Sequence, residues 1–284
     1  MSKALEALSP AGSLAHVDAA LDAGADAVYL GIRGISARPD AWSFDLDTAA
    51  EAVRRVHSHG KRVYLALNAE CHESKWAMVE DAVSRVAEVG CDALIIGDWG
   101  LLRLLKRVQP GISLHASTLL GIYNAPTLAL AREMGIVRVI FNTNLYLDEV
   151  AALIHSDACM EFEIIACGGV CLNDCRRCRL PHWREGERYF VGCRPVFDLE
   201  EDGTQRPTAH QLNSGDVNLA STLALYVALG ISSFKIEGRT RDVEYVRKGT
   251  ACLRAALDQL ESTTPQKLLH YIDREVGAWP ISSG

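Results

Sequence analysis

The sequence has no run of lysine or arginine long enough to form a basic arm, and its formal net charge is −7. Gripping nucleic acid through phosphate contacts alone needs a concentrated positive surface. A small molecule is therefore the expected partner, and RNA is not. No stretch approaches the ~18 consecutive apolar residues that a membrane span needs. Met1-Ser2-Lys3-Ala4 passes straight into a strand-like run without signal-peptide architecture, which makes the cytoplasm the expected compartment. No Gly-x-Ser-x-Gly elbow frames Ser9, Ser36, Ser117 or Ser214, and no His-Glu-x-x-His helix is present. Hydrolysis by an activated nucleophile thus lacks its usual signatures. With 49% hydrophobic and 23% charged residues, disorder is excluded as the main state.

Short apolar runs alternate with longer amphipathic stretches from end to end. Strands are expected at about 5–8, 27–31, 62–68, 93–97, 113–117, 138–142, 161–167 and 232–237. Helical periodicity falls near 14–23, 47–59, 75–89, 100–107, 124–134, 147–155, 218–229 and 242–260. In the last of these, Val243, Val246, Thr250, Leu253, Leu257 and Leu260 share one face. Eight strands each followed by a helix point to a (β/α)8 TIM-barrel-like single domain, with a doubly wound open sheet as the alternative. The expected organisation is one barrel over 1–262, including a cysteine-rich loop at 167–218 after strand 7, and a tail at 263–284. In such a barrel the chemistry sits at the C-terminal ends of the strands.

Five of the nine cysteines fall in one short loop: Cys167, Cys171, Cys175, Cys178 and Cys193. The core is C-x3-C-x2-C, with Cys193 following 15 positions after Cys178. A cubane cluster needs thiolates converging from several directions on a loop that can wrap it. Zinc usually takes paired C-x2-C knuckles, and only one such pair occurs here. Cys71, Cys91, Cys159 and Cys252 stand singly and read as buried small hydrophobes. The spacing also matches radical-SAM enzymes, but there it follows the first strand rather than the seventh.

The sequence resembles the collagenase-like peptidase family U32. Leu8-Ser9-Pro10-Ala11-Gly12-Ser13, Gly24-Ala25-Asp26-Ala27-Val28-Tyr29-Leu30-Gly31 and Ile35-Ser36-Ala37-Arg38 follow in family order. The signature region is similar to Glu163-x4-Gly168-Gly169-Val170-Cys171-x6-Cys178, and Asn213-Ser214-x-Asp216 and Ser233-Phe234-Lys235-Ile236-Glu237-Gly238-Arg239 complete the pattern. The resemblance implies a barrel-like fold and a 4Fe-4S cluster. It also implies oxygen-independent hydroxylation, here expected on a small aromatic or quinone-precursor substrate, with prephenate as oxygen donor. An RNA-base hydroxylase, a peptidase and a non-catalytic cluster-bearing scaffold are the alternatives. A hetero-oligomer with a related family member is an implied partner. Arg176, Pro181 and Thr143-Asn144 depart from the family pattern, and no cysteine lies between Cys193 and Cys252. Cys171, Cys175, Cys178 and Cys193 are then the expected ligands, with Cys167 as second choice for the fourth.

Lys235, Glu237 and Arg239 alternate on the last strand and so share one face. Their expected role is catalytic: Lys235 and Arg239 clamp an anion while Glu237 orients them or moves a proton. The alternative is an internal ion-pair network closing the barrel. Arg38, Asn68 and His115 lie at other strand ends and are the expected substrate-binding residues. Arg176, Arg177, Arg179, Arg184 and Arg188 make the cysteine loop basic.

Overall fold

The computed structural model describes residues 4–38, 40–169, 196–211 and 215–263. Eight parallel strands come first to attention: β1 (Glu6–Ala11), β2 (Ala27–Gly31), β3 (Arg62–Leu67), β4 (Ala93–Ile96), β5 (Ser113–Ala116), β6 (Ile136–Ile140), β7 (Glu161–Gly169) and, after three further strands, β11 (Ser233–Ile236). Each pairs with its sequence neighbour, β7 pairs with β11, and β11 pairs with β1. That last pairing closes the sheet and excludes the doubly wound alternative. Helices α1 (Leu14–Asp22), α2 (Leu46–Ser58), α3 (Trp76–Val86), α4 (Trp99–Val108), α5 (Ala125–Glu133), α6 (Leu147–Ser156), α7 (Leu223–Leu229) and α8 (Val243–Glu261) alternate with the barrel strands.

The strands read as nearly continuous apolar runs because both of their faces are covered. Outward-facing Val28, Leu30, Val63, Leu65, Leu94, Ile96, Val139, Phe162, Phe234 and Ile236 pack under the helices. Inward-facing Leu8, Ala27, Tyr29, Tyr64, Ala66, Ala93, Ile95 and Ile140 form a separate inner cluster. On α8, Val246, Thr250, Leu253 and Leu257 are the buried stripe. The buried Thr250 hydroxyl meets that of Ser9 at 2.7 Å, so neither is left unsatisfied. Helix starts are fixed by side-chain caps: Asp45, Asp98, Asn124 and Asp242 accept from Thr48, Leu101, Thr127 and Tyr245 backbone N–H groups.

The departure from a plain barrel lies between β7 and α7. A hairpin of β8 (Val196–Glu201) and β9 (Thr204–Gln211) is followed by β10 (Asp216–Asn218). β10 runs antiparallel to the end of β7, matching Asp216 to Gly169 and Asn218 to Cys167. The first residues of β7 pair with β6, whereas its last three pair with β10, and Cys167 also pairs with Ile236 of β11. Asn218, expected to open a helix, instead ends the strand β10, and α7 starts at Leu223. No helix among the described residues is long and apolar enough to cross a membrane.

Candidate active site

Inward-facing charges sort into a floor and a mouth. At the floor, Arg138 of β6 reaches Glu6 of β1 at 2.6 Å, Glu161 at 3.0 Å and Glu163 at 3.4 Å, the last two from β7. Arg62 pairs with Glu6 at 2.5 Å. Glu6 also accepts from the Tyr64 hydroxyl at 2.6 Å and from Ser233 at 2.7 Å. Burial works against the Arg138 cation, but Glu6 and Glu163 outweigh it and raise its pKa above the ordinary arginine value. This network ties five strands together, with every carboxylate answered by a cation.

Lys235 belongs to that floor. Its ammonium lies 3.0 Å from Glu163, whose side chain is fully buried, and 4.0 Å from the centre of the Tyr29 ring. Burial lowers its pKa, and Glu163 acts in the opposite direction. Lys235, Glu237 and Arg239 do all face inward and are all buried, yet each has a different partner. Lys235 is committed to Glu163, so the three do not form one clamp.

At the mouth, Glu237 accepts from Arg38 Nη2 at 3.0 Å and from the backbone N–H of Gly169 at 3.2 Å. Gly169 ends β7, so Glu237 fixes the point from which the chain enters the cysteine loop. Gly168 sits at φ +115°, and a Cβ there would collide with the carbonyl oxygen of Glu237. Only glycine accepts both conditions. Arg239 donates to Ser36 Oγ at 2.9 Å. Asn68 accepts from Ala37 N at 3.1 Å and approaches Ser117 Oγ at 3.4 Å, holding the loop that presents Arg38.

His115 lies lower, edge-on to Tyr64 with ring centroids 4.9 Å apart. Its Nδ1 is buried without a hydrogen-bond partner among the described residues. Burial, then Arg138 and Lys235, hold its pKa well below the ordinary histidine value. Of the three expected substrate-binding residues, Arg38 and Asn68 therefore meet at the mouth, while His115 faces the inner cluster. Among the described residues, the candidate serines give no activated nucleophile. Ser9 is bonded in the core, Ser36 serves Arg239, Ser117 Oγ accepts from Leu119 N, and Ser214 lies outside the described residues. Ser13 does meet His16 Nδ1 at 2.7 Å, but His16 is buried and its Nε2 is spent on the Arg241 carbonyl at 3.0 Å.

Cys171, Cys175, Cys178 and Cys193 lie outside the described residues. Among the described residues, no group of three or more His, Cys, Asp or Glu side chains is arranged to hold a metal. Cys167 is described. Its thiol is half-buried against the apolar layer outside the barrel. Burial raises its pKa, and a hydrogen bond with Tyr245 acts the other way.

Sequence reasoning named Lys235 on β11 and Glu237 and Arg239 just after it, but missed the floor network that Lys235 joins and the Tyr29 ring. The missed signal was a charge at an inward position in an otherwise apolar strand: Glu6, Arg138 and Glu163 repeat what Lys235 shows.

The profile of peptidase family U32 matches residues 12–278. The chain belongs to this family. It is similar to the 23S rRNA 5-hydroxycytidine C2501 synthase of Escherichia coli K12, at 33% identity over 91% of this chain and 40% of that protein. It is also similar to tRNA hydroxylation protein P of Helicobacter pylori 26695, at 29% identity over 92% of this chain and 66% of the relative. The chain thus spans less than two thirds of the length of these relatives. Among solved structures, that of the U32 peptidase Mk0906 superposes with a TM-score of 0.50 at 13% identity, over 59% of this chain and 70% of the other, a likeness of fold. The names of these family members overturn the expectation of a small-molecule partner in place of RNA. That expectation rested on net charge, which sums the whole chain and does not register local recognition of a base.

Proposed function

We propose that this barrel is the catalytic portion of an RNA-modifying enzyme that hydroxylates a nucleobase without molecular oxygen, using a 4Fe-4S cluster. The observation that carries this reading is the mouth geometry. The Glu237 carboxylate anchors Gly169, so the chain enters the cysteine loop within the ring of strand ends where barrel enzymes do their chemistry. The relatives named for tRNA and rRNA hydroxylation supply the substrate class.

The donor set fits such a cluster. The three cysteines of C-x3-C-x2-C together with Cys193 supply the four thiolates a cubane requires, and they follow β7 in sequence. Cys171, Cys175, Cys178 and Cys193 would hold the cluster. Cys167 is the weaker choice because its thiol faces the outer layer and contacts Tyr245. A bound cluster would supply electron transfer or Lewis acidity. The chain's own residues would position the base: Arg38, braced by Glu237, presents donors at the mouth, and Asn68 fixes the loop that carries it.

Two measurements test the reading. Protein purified without oxygen should contain about four irons and four sulfides per chain. Cys171→Ala, Cys175→Ala, Cys178→Ala and Cys193→Ala should each lose them, and Cys167→Ala should keep them. Nucleoside mass spectrometry of tRNA and rRNA from a deletion strain should show loss of one hydroxylated nucleoside, restored by wild type and not by Cys171→Ala. Identical nucleoside profiles with and without the protein would remove the RNA reading.

A further inference from the structure

We infer that Arg239 and Ser36 form an oxyanion-binding subsite inside the barrel mouth, for a single carboxylate or phosphate group. The argument starts from an imbalance of charge. Arg138, Lys235, Arg62 and Arg38 each have a carboxylate within 4.0 Å. Arg239 is 4% exposed, more buried than Lys235, and no carboxylate among the described residues lies within that distance. Its one hydrogen bond among those residues goes to a neutral hydroxyl, Ser36 Oγ at 2.9 Å. Glu237 is two positions away on the same face, but its oxygens are engaged by Arg38 and Gly169. A guanidinium presents five N–H donors in a rigid fork, so most of this fork is unanswered.

The group is also held in place. Gly31 has no side chain because a Cβ there would collide with both Arg239 Nη1 and Ser36 Oγ. A Cβ at Gly12 would strike the Arg239 carbonyl oxygen. The Tyr29 ring centre lies 5.7 Å from the guanidinium carbon. Burial pushes the Arg239 pKa down to about 10, which still leaves it charged near neutrality. A buried, fixed cation that no carboxylate contacts is costly to retain unless an anion comes to it, and Glu237 only partly offsets the burial of Arg239. Its position also fits, because the loops after the seventh and eighth strands are where (β/α)8 barrels commonly bind phosphate, and Arg239 follows the eighth. The planar fork suits the paired oxygens of a carboxylate or a phosphate.

The oxyanion could belong to the RNA backbone or to a free small molecule, and the experiment separates these sources. The full chain is purified and kept without oxygen. Inorganic phosphate and acetate are titrated at constant ionic strength against chloride while the thermal midpoint is followed. In a second arm, a single-stranded RNA oligonucleotide is titrated over a series of salt concentrations. Wild type should be stabilised by phosphate or acetate, and Arg239→Gln should bind that anion roughly ten- to a hundredfold more weakly. Ser36→Ala should weaken it by a smaller factor, and it carries the comparison alone should Arg239→Gln not fold. If the group is an RNA phosphate, Arg239→Gln lowers the slope of log affinity against log salt by about 0.7, and free phosphate competes with the oligonucleotide. If it is a free oxyanion, the RNA slope is unchanged and only the small-anion response is lost. Responses to phosphate, acetate and RNA that are the same in wild type and both variants would overturn the subsite. The small-anion arm does not depend on RNA hydroxylation, so either idea can fail while the other stands.

Discussion

Replacing Lys235 by methionine removes one cation from the floor of the barrel while keeping most of the side chain's length. Glu163 is fully buried and accepts from Lys235 at 3.0 Å, from Ser233 at 3.2 Å and from Arg138 at 3.4 Å. Without Lys235 this carboxylate loses its nearest countercharge in a place water does not reach. Breaking a buried pair by removing one partner costs roughly 3–5 kcal/mol. That is a large share of the roughly 5–15 kcal/mol by which a folded chain is stable. At roughly 2–4 °C per kcal/mol for a chain approaching this size, the thermal midpoint should fall by roughly 10 °C. Removing the orphaned charge as well, in Lys235→Met/Glu163→Gln, should recover much of the loss, because these two sites share a network and do not add. The assay is thermal unfolding by circular dichroism on wild type, both single variants and the double variant. A Lys235→Met protein with an unchanged midpoint and no turnover would refute this reasoning and return Lys235 to the chemistry.

Three further outcomes follow from the same geometry. An unfolded chain protonates its histidine as pH falls through about 6.5, whereas folded His115 is held neutral; stability present above that pH should fall below it by up to about 1.4 kcal/mol per pH unit. His115→Phe should flatten that part of the urea-midpoint profile, and an unchanged slope would show that His115 is not the group responsible. Gly168→Ala meets both a positive φ and the Glu237 carbonyl, so it should cost roughly 1–3 kcal/mol and lower iron content; a protein with wild-type midpoint and iron would contradict the packing described. Glu237→Gln loses the charge that holds Arg38, and should reduce RNA modification more than it reduces the thermal midpoint, since the Arg38 side chain is 30% exposed. An equal or larger loss of stability would make the pair part of the scaffold.

Much of the barrel was legible because its strands and helices obey different periods. β2 falls on the expected residues, and the other barrel strands differ only at their ends. Closure was not legible from alternation, because it depends on β1 meeting β11 across more than two hundred residues of sequence. The β8–β9 hairpin did have a local signal. Asp202-Gly203 joins its strands with both residues at positive φ, 52° and 75°, as a two-residue hairpin turn requires. Around the cysteine loop, helical periodicity was read through 218–222, although strand pairing to β7 decides the state of 216–218. At the site, the period of two correctly set Lys235, Glu237 and Arg239 on one face. It could not assign partners, since Glu163 comes from β7 and Ser36 and Arg38 from the loop after β2.

The division of those partners bears on what the barrel interior is for. At the floor, Arg62, Arg138 and Lys235 face Glu6, Glu161 and Glu163, so three cations are matched by three carboxylates. A balanced, hydrogen-bonded network of this kind can persist without a ligand, and it fixes the relative positions of β1, β3, β6, β7 and β11. At the mouth, Glu237 pairs with Arg38, and Arg239 has no carboxylate within 4.0 Å among the described residues. The excess positive charge therefore rests on Arg239, the more buried of the two arginines. A scaffold selected only for stability gains nothing from such a residue, since an apolar side chain in its place would avoid the desolvation cost. The floor thus accounts for its own charges, whereas the mouth does so only when an anion is present. This asymmetry separates the part of the interior that holds the fold from the part that receives a ligand.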